Sequence, residues 1–261
     1  MTTLLDPAVR TAAGIAARTD LTGQAAPEPA TVLDASWRDF IYAEVWTRPG
    51  LDLRSRFLIS LASAAGTRDA EAVERYAHGA LHKKALTLAE LREAALHVAV
   101  YSGWGTGGLI DAAVTKAASA LGLEAAAFPP IRAEPWDPAV RHAEGQANFK
   151  TVMCFGGPPP QTAYFEGGIV NFVFGEMWMR PGLDQRSRRW LTLVGVCDSA
   201  AAIPIGSHIW AAMASGNASA EEMYEFVLQY AIHAGWPKGS VAQSAVMKQA
   251  DRVKQGLPFE P

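Results

Sequence analysis

An all-α protein built from one helical unit used twice is what this sequence predicts, and three observations carry that expectation. First, the chain repeats itself. Asp6-Pro7-Ala8-Val9-Arg10 returns as Asp137-Pro138-Ala139-Val140-Arg141, 131 residues on, and the stretch from Glu44 to Arg56 returns from Glu176 to Arg188, 132 residues on. The second register still holds at Gly103-Trp104 against Gly235-Trp236, and at Lys116 against Lys248. Second, alanine-rich stretches with apolar residues three and four apart dominate, and alternating β-branched runs are nearly absent. Third, helix boundary signals come in matched pairs.

Taken in order, each unit opens with a short helix that carries Gly14 in the first copy and Gly145 in the second. A break follows, Pro27-Glu28-Pro29 or Gly156-Gly157-Pro158-Pro159-Pro160. The next helix is apolar apart from Glu44 or Glu176, each set between a phenylalanine (Phe40, Phe172) and a tryptophan (Trp46, Trp178). Pro49-Gly50 and Pro181-Gly182 are turns, and Asp52 and Asp184 are placed to cap the helices behind them. Thr87-Leu88-Ala89-Glu90 and Ser219-Ala220-Glu221-Glu222 read as capping boxes. The first of these starts a helix with Leu88, Leu91, Ala95, Val98 and Val100 on one face, and Gly103 and Gly235 stand where the two helices end. Each unit thus reads as five or six helices. The expected organisation is a first repeat over 1–127, a Pro-rich linker over 128–138 and a second repeat over 139–261.

Bulk properties exclude several classes of function. The 261 residues are 49% hydrophobic with a net charge of −3, which gives no basic footprint for nucleic acid or an anionic membrane. No apolar run has the length of a membrane span, and Met1 to Arg10 lack the layout of a signal peptide. Only Cys154 and Cys197 are present, so a disulfide framework is not expected and a cytoplasmic, reducing location is.

Charged residues in the repeated string are the first candidates for chemistry. Arg54, Arg56, Arg186 and Arg188 fall in the first turn of a helix, where cations oppose the helix dipole at about 0.3–1 kcal/mol each. Either they form a fork for a substrate carboxylate, or they pair with Glu44, Glu176 or a neighbouring subunit. Glu44 and Glu176 are likewise open to two readings. Burial among aromatics would raise the carboxyl pKa and suit it to proton transfer, whereas an ion pair would depress it. His78 and His82 have the four-residue spacing of metal ligands, but no glutamate follows His78 and the second copy has Trp210 and Ala214 there. No metal site is expected.

The string Glu-x-Trp-x-Arg-Pro-Gly-Leu-Asp-x-Arg-Ser-Arg, with Leu86-Thr87-Leu88-Ala89-Glu90-Leu91 and Ala99-Val100-Tyr101-Ser102-Gly103, resembles the carboxymuconolactone decarboxylase family. The resemblance covers nearly all of both repeats. It implies the all-α fold shared with alkylhydroperoxidase D-like proteins and assembly into trimers or hexamers, so a fused double unit would trimerise to imitate a hexamer. It also implies cofactor-free decarboxylation of a butenolide carboxylate in aromatic catabolism.

The family carries a histidine ahead of the capping box, and either His208 or His78 could be its counterpart. In the ungapped register His208 faces Tyr76 of the first copy, and His233 faces Tyr101. His208 and His233 on converging helices would supply a proton donor and a carboxylate anchor. The alkylhydroperoxidase D-like relatives use a Cys-x-x-Cys pair. Ser63-Ala64-Ala65-Gly66 and Gly195-Val196-Cys197-Asp198 lack it, so dithiol peroxidase chemistry is not expected. The Gly-Trp pairs would wall a pocket for a flat ring, and Trp236-Pro237 keeps the family's proline while Trp104-Gly105 does not. That departure, with Tyr76 and Tyr101 in place of histidines, suggests a first copy diverged from catalysis or open to a larger molecule.

The resemblance therefore implies a carbon–carbon lyase acting on a small carboxylate or lactone without a cofactor. Arg186 and Arg188 would bind the anion with Arg54 and Arg56 as their equivalents. His208 would stabilise the enolate or donate a proton, Glu176 would move or tune a proton, and His233, Trp178 and Trp236 would line the site. The rivals are an enolate-type isomerase, dehydratase or cyclase, and a non-catalytic binding or assembly protein. The last would show fully paired Arg and Glu residues and no pocket at His208.

Overall fold

The structure is a computed structural model that describes residues 5–131, 137–157 and 159–260, and no β-strand occurs among them. The first repeat consists of α1 (Pro7–Thr22), α2 (Val32–Ser36) running into a π-helix (Trp37–Val45), α3 (Leu53–Gly66), α4 (Ala70–His82), α5 (Leu88–Ser102) and α6 (Trp104–Ala120). The second consists of α7 (Pro138–Met153), a second π-helix (Tyr164–Phe174), a 3₁₀ turn (Met177–Met179), α8 (Gln185–Asp198), α9 (Ala202–Ala214), α10 (Ala220–Ala234) and α11 (Trp236–Lys254). The starts of α8 to α11 each lie 132 residues beyond those of α3 to α6, so the duplication read from the sequence is a duplication of helices. Of the linker, residues 132–136 lie outside the described residues, as does Pro158 of the second break.

The paired boundary signals do what their chemistry requires. Asp52 accepts from the Ser55 amide at 2.8 Å and Asp184 from the Ser187 amide at 2.7 Å. Thr87 and Ser219 each close a reciprocal capping box with Glu90 and Glu222. Gly103 and Gly235 take φ of 92° and 88°, which only glycine adopts without strain, and turn α5 into α6 and α10 into α11. Gly14 and Gly145 serve close packing instead. A Cβ at either position would collide with a backbone carbonyl of the neighbouring π-helix, Arg38 O or Val170 O. One expectation needs correction. Glu176 does not lie on a helix, because the second π-helix ends at Phe174 and the backbone breaks at φ −136°, ψ −62° before the 3₁₀ turn.

One apolar core runs through both repeats: Phe57, Leu58, Leu91 and Val98 of the first share it with Trp190, Leu193, Phe226 and Tyr230 of the second. α3 and α8 pack on each other, α3 also meets α10, and α8 also meets α5. This junction carries two matching ionic networks. Glu225 on α10 takes Arg48 and Arg56 of the first repeat, with Arg56 Nη2 at 3.1 Å. Glu93 on α5 takes Arg180 at 2.6 Å and Arg188 at 3.5 Å from the second. At the edges Arg54 reaches Glu90 at 2.9 Å, while Arg186 reaches Glu222 at 2.8 Å and Asp52 at 3.0 Å.

Removing one partner from a buried pair strands the opposite charge, which typically costs about 3–5 kcal/mol, whereas exposed pairs contribute about 0–1 kcal/mol. Glu225→Ala, leaving Arg56 without its carboxylate, should lower the unfolding free energy by about 3 kcal/mol in a urea titration. Glu71→Ala, which removes only an exposed bridge to Arg75 within α4, should stay within about 0.5 kcal/mol of the parent.

Candidate active site

A cavity of about 840 Å³ opens where α7, the second π-helix, α8 and α9 meet the end of α5. His208, on α9, lies in its wall with Ser207. From the first repeat come Val100, Tyr101 and Trp104, so the cavity is built across the repeat junction. The exposed side chains of Trp104, Tyr164 and Ile203 form its rim.

The polar groups around His208 form a chain. The Tyr101 ring stands edge-on to the His208 ring, with centroids 5.7 Å apart. Trp178 Nε1 donates to the Tyr101 hydroxyl at 2.7 Å, and the Tyr101 ring packs on that of His97 with centroids 5.2 Å apart. Thr192 Oγ1 is 2.9 Å from His97 Nε2, and His97 Nδ1 is 3.4 Å from Arg188 Nη1. The wall of the cavity is thereby connected to the Glu93–Arg188 network that joins the repeats.

Burial sets the charge states. It pushes His208 down to about 3, with Arg189 adding to the effect. It drives His97 well below its ordinary range, helped by Arg188, and raises Tyr101 to about 12. His208 and His97 are therefore neutral at physiological pH, and the Tyr101 hydroxyl keeps its proton. His208 Nδ1 is buried with no hydrogen-bond partner, an arrangement that native interiors rarely keep without a function.

Arg189 is the residue that sequence reasoning missed. It is 0% exposed and packs 5.1 Å above the Trp178 ring. Nε donates to Asn217 Oδ1 at 3.2 Å, Nη2 donates to the carbonyl of Val152 beside lining residue Met153, and Nη1 has no partner. Desolvation lowers its pKa only to about 10, so it stays charged at neutral pH. No carboxylate pairs with it among the described residues, unlike Arg56 and Arg188. The first copy has Phe57 at this position, and that difference between copies was the available signal.

The other sequence-derived candidates fall elsewhere. Arg54, Arg56, Arg186 and Arg188 do not line the cavity; their forks are taken by Glu90, Glu225, Glu222, Asp52 and Glu93. They hold the repeats together, a partnership across the junction that sequence spacing could not reveal. Glu44 lies 3.5 Å from Arg10, and neither Glu44 nor the buried Glu176 lines the cavity. His233 does not meet His208. It sits in the equivalent place of the other half, 3.1 Å from the Tyr76 hydroxyl and 5.6 Å from the Trp37 ring centroid. Trp236 stands there too, against Phe40, while its counterpart Trp104 lines the His208 cavity. Trp178 does not line the cavity; it donates to the Tyr101 hydroxyl from behind.

His78 lines a separate cleft of about 300 Å³ with Arg18, Glu71 and Arg75, and its ring stacks on His82 at 6.2 Å. No group of three potential metal ligands occurs among the described residues. Both cysteines are unpaired, and burial pushes the Cys197 thiol up to about 12. No helix among the described residues is long and apolar enough to cross a membrane.

Comparison with known proteins finds similarity to one family over part of the chain. The carboxymuconolactone decarboxylase family matches residues 33–107, the stretch from α2 to the first turn of α6. Over 97 residues the chain is 29% identical to a 4-carboxymuconolactone decarboxylase of Acinetobacter baylyi, covering 37% of this chain and 69% of that protein. Over 65 residues it is 37% identical to a nitrosuccinic acid decarboxylase of Metarhizium robertsii, covering 25% of this chain and 45% of that protein. His208 lies outside the family match, in the helices that repeat the matched unit. In its all-helical repeats and in residues 33–107, the chain is similar to the carboxymuconolactone decarboxylase family.

Proposed function

We propose that the chain is a carbon–carbon lyase that decarboxylates a conjugated carbonyl acid or carboxylated lactone through an enolate, in the cavity around His208. The observation that carries this reading is a buried, neutral histidine edge-on to a tyrosine ring, beside a buried cation that no carboxylate neutralises among the described residues. The similarity to two decarboxylases supports it. A sealed, non-catalytic junction would also pair its Arg and Glu residues, but it would have no cavity at His208.

Decarboxylation breaks the bond between carbon and carboxylate, and the electron pair moves into the conjugated carbonyl as carbon dioxide leaves. The negative charge gathers on the carbonyl oxygen. A neutral His208 serves there as an N–H donor rather than as an imidazolium acid, with the Tyr101 hydroxyl as a second donor. Arg189, buried behind the wall, contributes its field at low dielectric, where fixed charge acts more strongly than in water. This role replaces the one expected of Arg186 and Arg188. Solvent entering past Trp104 returns the proton to carbon. No cofactor is required, because the substrate carbonyl is the electron sink. Unpaired Cys154 and Cys197 are in keeping with a cytoplasmic setting, and the exposed apolar side chains of Val32 and Leu33 with a homo-oligomer.

Carbon dioxide release from a panel of lactone carboxylates and β-keto acids tests the assignment. His208→Ala should lose about 10²–10⁴-fold in kcat. Tyr101→Phe should lose less, and His78→Ala should stay within about twofold. Full activity in His208→Ala, or its loss in His78→Ala, would move the site to the first repeat.

The buried histidines also fix a pH response. His208 falls to about 3 and His233 to about 4 in the folded chain, against an ordinary value of 6.5. Below pH 6.5 the unfolded chain takes up protons that the folded chain refuses, so stability is full above that pH and falls as pH drops toward the folded values. Glu222, Glu225 and Asp52 have lowered pKa values, and their contribution is lost only at lower pH, as they become protonated. Thermal melts should therefore show a flat Tm from pH 7 to 9 and a decline beginning near pH 6.5. A decline beginning only below pH 4.5 would contradict neutral buried histidines.

A further inference from the structure

Two clefts of the chain share several matching positions and have opposite character. Nine of the side chains lining the His208 cavity are aromatic, and among the described residues none of the lining side chains bears a formal charge at neutral pH. At matching positions of the first repeat the cleft is polar. Phe149 replaces Arg18, Phe155 replaces Gln24, Ile203 replaces Glu71 and Ser207 replaces Arg75, and all four first-repeat residues line the 300 Å³ cleft beside His78. In that half Tyr76 stands in the place of His208, with its hydroxyl against His233. At these points the second repeat has exchanged three charged side chains and an amide for two phenylalanines, an isoleucine and a serine.

The aromatic lining is also ordered for flat molecules. The Trp104 and Phe172 rings stack at 6.2 Å with 24° between their planes, and Phe155 and Phe259 stack at 5.3 Å with 19°. Phe259 belongs to the C-terminal segment, which Arg252 ties down through the carbonyl of Pro258 at 2.7 Å and the carboxylate of Glu260 at 2.8 Å. At about 840 Å³ the cavity is near the upper end of the roughly 300–1,000 Å³ of pockets that enclose drug-sized ligands. A small multiply charged acid would fill little of it and would find no cation on its walls. A single negative charge at the inner end would lie in the field of Arg189.

From these observations we infer that the His208 cavity takes a monoanionic acid with a large flat apolar body, on the scale of two fused rings or more. The acid group sits at His208 and Tyr101, the rings lie between Phe149, Phe172 and Phe259, and the first-repeat cleft takes no such molecule. This rests on the reading of the His208 cavity as the reaction site, but binding tests it without turnover.

The probe is 2-naphthoate, titrated calorimetrically into the full chain beside succinate and 2-naphthalenemethanol. The expected result is one naphthoate per chain, at least tenfold weaker binding of the neutral alcohol, and no measurable succinate binding. Ile203→Glu at the exposed rim and Ser207→Arg, which install the residue types of Glu71 and Arg75, should each weaken naphthoate at least tenfold. Ile203→Glu, being at a solvent-exposed position, should leave the melting temperature unchanged and keeps the test independent of any loss of stability in Ser207→Arg. Two naphthoates per chain, binding indifferent to both substitutions, or succinate bound in preference would each overturn the inference. Naphthoate binding without decarboxylation of any panel acid would refute the proposed reaction and leave this substrate class standing. Decarboxylation of small diacids without naphthoate binding would do the reverse.

Discussion

Everything in this chain depends on two buried carboxylates, each shared by two arginines from the other repeat. Glu225 receives Arg48 and Arg56, and Glu93 receives Arg180 and Arg188. Burial alone would raise the Glu225 carboxyl, but the hydrogen bonds from Arg48 and Arg56 hold it below its ordinary value. Burial likewise lowers Arg56 and Arg188, so each group tolerates its surroundings only because the others are present. The arrangement is specific in a way that apolar packing is not. A guanidinium fork meets its carboxylate in one geometry only, and two such networks related by a common offset fix how α3 and α8 lie against each other.

The cavity follows from that constraint. Fixing α5 beside α8 brings Tyr101, at the end of the first repeat's helix, to His208 on the second repeat's α9. Neither repeat alone makes the site. The chain of contacts from Tyr101 through His97 to Arg188 runs directly into the network at Glu93, so the position of the donor hydroxyl is tied to the junction. Duplication then permits divergence. One half carries His208, Arg189 and an aromatic cavity, and the other carries Tyr76, Phe57 and a small charged cleft.

Much of the scaffold was legible beforehand because its signals are local. A capping box needs only a serine or threonine and a glutamate three residues on, and a Pro-Gly turn needs only its two residues, so Thr87, Ser219, Asp52 and Asp184 could be assigned by inspection. The candidate site was legible only in part. His208 and Trp178 were visible as residue types in a familiar string. Tyr101 was read as a lost histidine, because nothing in the sequence says that it serves the other repeat. The arginines were read as a substrate fork, because Glu93 and Glu225 are far along the chain from them.

By itself, then, the sequence determined the helices, their ends, the duplication and a family resemblance, all of which depend on neighbours within a few residues or on comparison of the two copies. Only the tertiary structure decided which arginines are neutralised and which one, Arg189, is not. It also decided that the first repeat completes the second repeat's cavity and that His208 is neutral. Those outcomes depend on desolvation and on pairing between residues tens to well over a hundred positions apart, such as Glu93 with Arg188 and Tyr101 with His208, and both are set by how helices pack rather than by the order of residues along the chain.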